Sequence, residues 1–366
     1  MKLTFIKEEL LNGINIVSRA IPVRTTNPIL ECILFDASEG KIKLTANDMD
    51  LGIETIVAGE IIEPGKVALD AKLISDIVKK CEGDVEITTG TGFHSVIKSE
   101  DAVFHIQGRD GEEFPYLQKI EKKEYISISQ FTLKEIVRQT MFSAALNDSN
   151  KMMGGEYIEV RGNKVRFTTL DGHRIAIRNV EMKEDYGTMK AIVPVRSLNE
   201  ISKIVSGDNE KEIIIAFSRN HLLFEFDETT VICSVIDGEY FRIEHMISDN
   251  YETKISVNKS RLISYIDRSM IFIRENDHKP LILTMTEGNI NLSIKSSFGS
   301  MDGNIECEKT GNDLKIAFNP KFLIDALRVI DDENVNLYFT GAKAPCFIRD
   351  AEKNYIYLIL PVNFVE

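Results

Sequence analysis

The sequence has no apolar run as long as a membrane-spanning helix requires. Charged residues also interrupt positions 1–9, where a secretory signal needs an apolar core. The 5 cysteines lie far apart and include no Cys-x-x-Cys pair. This pattern argues against a disulfide framework and against a zinc site, and it indicates reduced thiols. We therefore expect a cytoplasmic protein that carries no metal and no cofactor.

Low-complexity tracts are also missing, and the hydrophobic content of 43% is typical of globular proteins. Acidic residues outnumber basic residues by 57 to 44, which gives a net charge of −13. Taken as an average, this charge argues against simple adhesion to nucleic acid. The sequence shows no helix-turn-helix, no zinc finger and no aromatic-rich basic strand, so a protein that reads base sequence is not expected.

What the sequence does contain is one pattern repeated three times. Each copy opens with a short strand and an amphipathic helix, at residues 5–14, 125–137 and 254–266. A later strand and helix recur at residues 67–74, 192–198 and 316–323. A repeat of this length indicates three similar domains in a row. Charged or polar connectors set their boundaries, and the predicted domains are 1–124, 125–250 and 251–366.

The strands of each copy are also recognisable. Alternating polar and apolar side chains predict half-buried strands at residues 41–46, 164–169 and 289–295. A turn-forming pair precedes each one: Glu39-Gly40, Gly162-Asn163 and Glu287-Gly288. Strands outnumber helices, and strands joined by tight turns run antiparallel. The predicted fold class is therefore α+β, with helices packed on antiparallel sheets.

Basic residues keep their positions in the second helix of each copy. The matching pairs are Lys72 with Lys79, Arg196 with Lys203, and Lys321 with Arg328. The two members of each pair are seven residues apart, almost two helical turns, and so lie on one helix face. Lys80 adds a cation to the first pair.

These cations have two interpretations. Each face taken alone is an ordinary solvated helix surface. The same cations at the same positions of three helices, in an acidic protein, favour a polyanion beside that face. Duplex DNA contacted through its phosphates would be bound without any reading of its sequence.

The densest polar cluster is Asp171-Gly172-His173-Arg174. Asp171 could orient His173 for acid–base work, with Arg174 as an anion clamp. The cluster could equally be a structural turn or the corner of a binding site. No nucleophile motif accompanies it, so catalytic residues are not expected.

Several stretches together resemble the bacterial DNA polymerase III beta subunits, the sliding-clamp family. They are residues 24–30, 170–176, 236–240 and 357–362, found in the family's order and spacing. The resemblance covers the whole chain. It implies a ring of two head-to-tail protomers, with helices lining the hole around duplex DNA and sheets outside. It also implies a tether without catalytic activity, and it adds Arg24 to the DNA-binding residues.

The resemblance further implies one peptide-binding groove per protomer. The DNA polymerase III catalytic subunit, the clamp loader and other replication and repair proteins would dock there through short motifs that combine a Gln with apolar residues. Carried over by position, its walls are Met153, Leu170, Gly172, His173, Arg174, Ile175, His245, Met246, Leu358, Leu360, Pro361 and Val362. Independently, the alternation of Leu358, Leu360 and Val362 predicts one face of a strand, either core or groove wall.

This sequence departs from the family pattern around the groove. Leu170 replaces a common Thr, Phe241-Arg242 replaces the usual Pro-Asp, and His245 stands where an Arg is expected. These changes affect the shape of the groove and its motif preference.

The ring interface is expected where an apolar helix end meets an unpaired strand edge. Phe272 and Ile273 follow the first helix of the third copy, and Phe104 and Ile106 lie on a strand of the first copy. The favoured function is a DNA sliding clamp. The alternatives are a repeat-built protein scaffold that never touches DNA and an enzyme that uses Asp171 and His173.

Overall fold

The computed structural model describes residues 1–100, 102–145, 150–273 and 279–364. Its helices are α1 Lys7–Val17, α2 Ala71–Lys80, α3 Gln130–Thr140, α4 Val195–Ile204, α5 Lys259–Met270 and α6 Pro320–Arg328. The strands up to residue 181 are β1 Lys2–Phe5, β2 Cys32–Asp36, β3 Ile42–Asn47, β4 Leu51–Val57, β5 Glu60–Glu63, β6 Lys66–Asp70, β7 Val85–Thr89, β8 His94–Ser99, β9 Ala102–Gln107, β10 Glu124–Ser129, β11 Gly155–Arg161, β12 Lys164–Leu170 and β13 Arg174–Glu181. The later strands are β14 Thr188–Pro194, β15 Glu212–Phe217, β16 His221–Phe226, β17 Thr229–Ser234, β18 Thr253–Asn258, β19 Leu281–Thr286, β20 Asn289–Ser296, β21 Gly299–Glu306, β22 Glu308–Gly311, β23 Leu314–Phe318, β24 Asn334–Phe339, β25 Cys346–Arg349 and β26 Tyr355–Ile359.

The described residues form two compact units, and each unit includes part of the second sequence copy. Unit 1 is Met1–Lys134 with Arg196–Val235, and unit 2 is Glu135–Val195 with Ile236–Glu366. The predicted division at 1–124, 125–250 and 251–366 follows the sequence repeat instead, and it stays a prediction.

Unit 1 contains two sheets. One has the strand order β5-β1-β7-β8-β9, and the other has the order β10-β15-β16-β17-β4-β3-β2-β6. In the larger sheet β17 pairs with β4, so strands of the first and second sequence copies share one sheet. Helix α1 packs on β4, and a side chain at Gly13 would collide with the Cγ2 methyl of Val57. The glycine lets helix and strand approach this closely.

Unit 2 also contains two sheets. Their strand orders are β14-β11-β12-β13-β26-β25-β24-β18-β22 and β21-β20-β19-β23. The pairing of β13 with β26 joins strands of the second and third copies. Helices α5 and α6 pack against each other and bury Leu262, Ile266, Leu323 and Leu327 in the core of the unit. Burial of such leucine and isoleucine side chains contributes about 1.5–3 kcal/mol each.

Local signals explain where the elements begin. Asp70 and Asn319 accept hydrogen bonds from the backbone of Leu73 at 2.7 Å and Lys321 at 3.0 Å, which caps α2 and α6. The equivalent turn glycines Gly40, Gly162 and Gly288 have φ of 77°, 62° and 74°, the left-handed region that favours glycine.

All strand pairs among the described residues are antiparallel, which confirms the predicted fold class. No described helix is long and apolar enough to cross a membrane.

Candidate functional site

The six matched cations all lie on exposed helix positions. They are Lys72 and Lys79 on α2, Arg196 and Lys203 on α4, and Lys321 and Arg328 on α6. The opposite face of each helix packs on the protein core: Ile74 and Val78 of α2, for example, are fully buried. Lys80 is exposed at the end of α2, and Arg24 is exposed in the segment before a short 3₁₀ helix at Pro28–Glu31.

Half of the six cations have an acidic neighbour. Lys203 Nζ lies 2.6 Å from Glu200, Lys321 Nζ lies 3.4 Å from Asp325, and Arg328 lies 3.4 Å from Asp267. The cation of each pair is exposed, and surface ion pairs contribute only about 0–1 kcal/mol, so a phosphate can take the place of the carboxylate at small cost.

The remaining predicted DNA contacts have no ionic partner among the described residues. They are Arg24, Lys72, Lys79, Lys80 and Arg196. Such unpaired cations are free to contact phosphate oxygens.

Unit 2 contains a cavity of about 240 Å³. Its lining residues are Met153, Leu170, Gly172, His173, Arg174, Ile175, Phe241, Arg242, Ile243, Met246, Leu358 and Leu360. Nine of these belong to the twelve groove residues predicted from the sequence. The floor is a buried apolar cluster that includes Leu170, Ile175, Ile243 and Leu358.

Pairing of β13 with β26 builds the floor. Ile175 lies opposite Leu358, and the backbone N–H of Leu360 donates to His173 O at 2.8 Å. Between β12 and β13 the chain turns through Gly172, whose φ is 82°. Asp171 closes this turn by accepting hydrogen bonds from the backbone N–H groups of His173 at 3.0 Å and Arg174 at 3.1 Å.

Arg174 is held on every side. Its side chain is 9% exposed, and its Nε and Nη1 atoms donate to Asp171 and Asp325, each at 2.8 Å. The guanidinium carbon lies 4.6 Å from the Phe322 ring centre and 5.4 Å from that of Phe142. These hydrogen bonds and cation–π contacts hold the guanidinium in place as part of the cavity wall.

Helix α6 therefore connects the cavity to one of the predicted DNA contacts. Asp325 of this helix bonds to Arg174 and also lies 3.4 Å from Lys321. The adjacent Phe322 stacks on the His173 ring, with ring centres 5.7 Å apart.

Three predicted groove residues do not line the cavity. His245 lies in the 3₁₀ helix Glu244–Met246, where each residue turns the side chain by about a third of a circle. Met246 consequently packs on the apolar cluster while His245 is exposed. Pro361 and Val362 follow the end of β26, and Val362 N–H donates to Ala317 O at 2.8 Å. The strand alternation predicted for Val362 ends before it.

Phe241, Arg242 and Ile243 line the cavity but were absent from the prediction. The sequence marked Phe241 and Arg242 only as departures from the family pattern. The one available signal was their position between Tyr240, which belongs to a family stretch, and Met246, which was predicted.

The acid–base arrangement considered for the 171–174 cluster is not present. All hydrogen bonds of Asp171 among the described residues go to backbone N–H groups and to Arg174. The His173 ring instead faces Phe322. The cluster acts as a turn at the edge of the cavity.

The residues predicted for a dimer interface differ in exposure. Ile106 is 7% exposed and belongs to the interior of unit 1, whereas Phe104 is half-buried on the outer strand β9. Beyond α5, Phe272 and Ile273 are half-buried, and Ile271 is 73% exposed. The surface at this helix end therefore comes mainly from Ile271, and the interface stays a prediction.

Among the described residues there is no group of three or more His, Cys, Asp or Glu side chains that could hold a metal ion. All five cysteines are free, and four of them are buried. Burial raises the pKa of the Cys233 thiol to about 12, so it is protonated at neutral pH.

Comparison with known proteins identifies the family. Models for the DNA polymerase III beta subunit match the chain in three parts: the N-terminal domain at residues 1–118, the central domain at 127–241 and the C-terminal domain at 244–363. The beta sliding clamp of Staphylococcus aureus is 30% identical over 375 residues, which cover 99% of each chain.

Solved structures give the same result. A chain from Eubacterium rectale assigned as a DNA polymerase III beta subunit is 53% identical, with a TM-score of 0.96. The DNA polymerase sliding clamp of Bacillus subtilis is 30% identical, also with a TM-score of 0.96. Both comparisons cover 100% of each chain. This protein belongs to the DNA polymerase III beta-subunit family and is a DNA sliding clamp.

Proposed function

We propose that two copies of this chain close head to tail into a ring around duplex DNA. Each copy contributes three domains, at residues 1–124, 125–250 and 251–366. The ring slides on DNA and tethers its partners, which include the DNA polymerase III catalytic subunit, the clamp-loader complex and other proteins with clamp-binding motifs.

The observation that carries this proposal is the set of exposed cations at two equivalent positions on α2, α4 and α6. In a protein of net charge −13, repeated cations on one kind of helix favour contact with phosphates in any sequence. A closed ring needs no strong contacts, because dissociation requires opening the ring or reaching a DNA end. Weak, partly paired cations suit that role.

The cavity of unit 2 is the proposed docking site for partner peptides. An apolar floor beside a polar rim is the surface that buries one or two apolar side chains of a short motif. Its volume of about 240 Å³ accommodates only a few side chains, which favours a short linear motif over a folded partner.

We propose that the protein has no catalytic activity of its own and acts in the cytoplasm. Asp171 is bonded to Arg174 and to the backbone, so it does not prepare His173 as a general base. Five free thiols suit a reducing compartment.

The ring predicts a dimer in solution. Native mass measurement at micromolar concentration is expected to give a species of twice 41.4 kDa. Ile271→Asp places a charge on the most exposed residue of the helix end and is expected to shift the mass toward the monomer. Val23→Asp, at an 86% exposed position, is the matched control and should remain dimeric. A strictly monomeric wild type would contradict the ring.

A further inference from the structure

We propose that each contact between the protomers of the ring holds a site for a divalent transition-metal ion, with Zn²⁺ as the best match to its ligands. The ligands are His94 and His105 of one protomer and Asp302 of the partner subunit. This inference rests on the ring proposed above, because one chain supplies only part of each site. It names a ligand that the ring binds and that holds its protomers together.

Two histidine rings stack on the exposed face of the five-stranded sheet of unit 1. His94 lies on β8 and His105 lies on the outer strand β9, and their ring centres are 5.6 Å apart. Both residues are exposed, and neither side chain forms a hydrogen bond with another described residue. Zinc binds imidazole nitrogens at about 2.0–2.1 Å, so two rings at this separation can share one ion after rotation about their side-chain bonds.

The sequence repeat indicates how the third copy joins the first copy of a partner. Strand β4 of the first copy pairs with β17, the last strand of the second copy, and β13 of the second copy pairs with β26, the last strand of the third copy. Strands β4, β13 and β21 are equivalent, because each is the third strand of an antiparallel run: β2-β3-β4, β11-β12-β13 and β19-β20-β21. Strand β21 and the last strand of the first copy, β9, are both outer strands of their sheets. The repeat therefore pairs β21 of one protomer with β9 of its partner.

The two internal pairings also give the register of this contact. In each, the first residue of the earlier strand lies opposite a buried residue of the later strand. These pairs are Leu51 with Cys233 and Arg174 with Ile359. The first residue of β21 is Gly299, and the equivalent of Cys233 is Ile106, since each stands four residues before an Asp-Gly pair. Antiparallel continuation from Ile106 and Gly299 places Val103 opposite the partner's Asp302.

Asp302 of the partner subunit then lies diagonal to His105. Val103, His105 and Asp302 are exposed, whereas Ile106 is buried, as one outer and one inner face of a continuous sheet require. His94 is the diagonal neighbour of His105 on the other side, since β8 pairs with β9 through Val96 and His105. Diagonal neighbours on antiparallel strands are about 7–8 Å apart, within reach of aromatic side chains. The three ligands thus follow one another across the outer face of the sheet.

The carboxylate of Asp302 is oriented within its own chain. Its Oδ1 atom accepts a hydrogen bond from Asn291 Nδ2 at 3.0 Å, and its Oδ2 atom has no partner among the described residues. A bond of this kind orients a metal-binding carboxylate and leaves its other oxygen for the ion. Two imidazoles and one carboxylate form a common set of three protein ligands for zinc, with water at the fourth position.

Variants test which side chains bind the ion. Competition with a fluorescent Zn²⁺ chelator at neutral pH is expected to show one ion per protomer in the wild-type ring. His94→Gln, His105→Gln and Asp302→Asn should each weaken binding by at least about tenfold, since even the outer partners of metal ligands have effects of this size. His221→Gln and Asp208→Asn change a histidine and an aspartate elsewhere in unit 1 and should leave binding unchanged. Unchanged unfolding midpoints would show that the variants are folded.

Mixed rings test whether the ligands come from two protomers. The double variant His94→Gln, His105→Gln keeps Asp302, and Asp302→Asn keeps both histidines, so neither variant forms a complete site alone. In a mixed ring, one of the two contacts brings the intact histidines and the intact aspartate together. With a tag on one variant to identify the mixed ring, native mass spectrometry should show one zinc ion on the mixed ring and none on either parent ring.

Zinc should also strengthen the ring, because the monomer has only two of the three ligands. At a free Zn²⁺ concentration ten times the dissociation constant of the site, the dissociation constant of the dimer should fall by up to about a hundredfold, since each of two sites contributes a factor of about eleven. Sedimentation of diluted protein with and without Zn²⁺ measures this change. Asp302→Asn should lose most of it.

The outcomes separate the metal site from the ring. A wild type that stays monomeric with and without Zn²⁺ would contradict the ring itself. A wild-type dimer that binds no Zn²⁺, or a dimer whose binding survives in Asp302→Asn, would overturn the metal site and leave the ring standing. Loss of binding in both parent variants without recovery in the mixed ring would mean that the ligands come from one chain, which also overturns the shared site.

Discussion

A variant with all six matched cations changed to glutamine is expected not to be loaded onto DNA. The changed residues are Lys72, Lys79, Arg196, Lys203, Lys321 and Arg328. Each cation that neutralises a phosphate releases about one counterion, so the removal of six cations per protomer lowers DNA affinity on the order of a thousandfold or more at moderate salt. Incubation with the clamp loader and nicked circular DNA, followed by gel filtration, measures how much protein has been loaded.

A second variant controls for net charge. It replaces four lysines and two arginines that are exposed on strands, turns and a connector: Lys41, Lys98, Lys123, Lys190, Arg161 and Arg219. It has the same total charge as the first variant and is expected to load normally. Equal loss in both variants would attribute the effect to overall charge and contradict a DNA-facing helix surface. Both variants should still bind groove peptides, and loss of DNA and peptide binding together would indicate misfolding.

The stability of the protein is expected to fall as the pH rises from 5 to 8, because of one buried carboxyl group. Glu156 of β11 is fully buried, and burial raises its pKa from the usual 4.5 to about 8, a change that a hydrogen bond from Thr140 partly offsets. Its Oε1 accepts this bond at 2.5 Å, and its Oε2 has no described partner. The folded protein therefore holds a proton that the unfolded chain releases above pH 4.5.

The direction of this change in stability with pH follows from proton linkage. Between these two pKa values the unfolded chain binds fewer protons than the folded protein, so the free energy of unfolding decreases with rising pH. The loss from pH 5 to pH 8 is about 3 kcal/mol. Urea unfolding across this range should show the decrease in the wild type and not in Glu156→Gln, which keeps the size and the acceptor oxygen but cannot ionise.

The comparison between variants separates the effect of the buried Glu156 from that of the acidic residues on the surface. Glu184→Gln, at an exposed position, serves as the control and should follow the wild type. A constant difference between the wild type and Glu156→Gln across the range would mean that Glu156 is already ionised in the folded protein.

The helices and several of the strands among the described residues followed from local patterns in the sequence. Alternation predicted residues 164–169 as a strand, and the structure has β12 at Lys164–Leu170. The same holds for the strand–helix repeats, because caps such as Asp70 and Asn319 act within a few residues of the chain. The shared sheets of β17 with β4 and of β13 with β26 were not predicted, because no local pattern specifies which distant edge strands pair.

The sequence likewise indicated only some of the residues that line the cavity. Matching positions in the family pattern indicated the lining residues that the turn at Asp171 and strand pairing fix in place, such as Leu170, Ile175 and Leu358. The predicted groove residue His245 lies outside the cavity lining, because the rotation of a 3₁₀ helix decides which side chain faces inward. Family position did not include Arg242, since a substitution by a residue of opposite charge gives no indication of where the new side chain lies.

The proposed ring stays on DNA by enclosing it, and retention on circular DNA tests this enclosure most directly. Protein loaded on nicked circular DNA is washed at a salt concentration that screens phosphate contacts, and the DNA is then cut once. Enclosure predicts that most of the protein remains on the circle through the wash and leaves after the cut. Equal loss from circular and linear DNA at each salt concentration would contradict it.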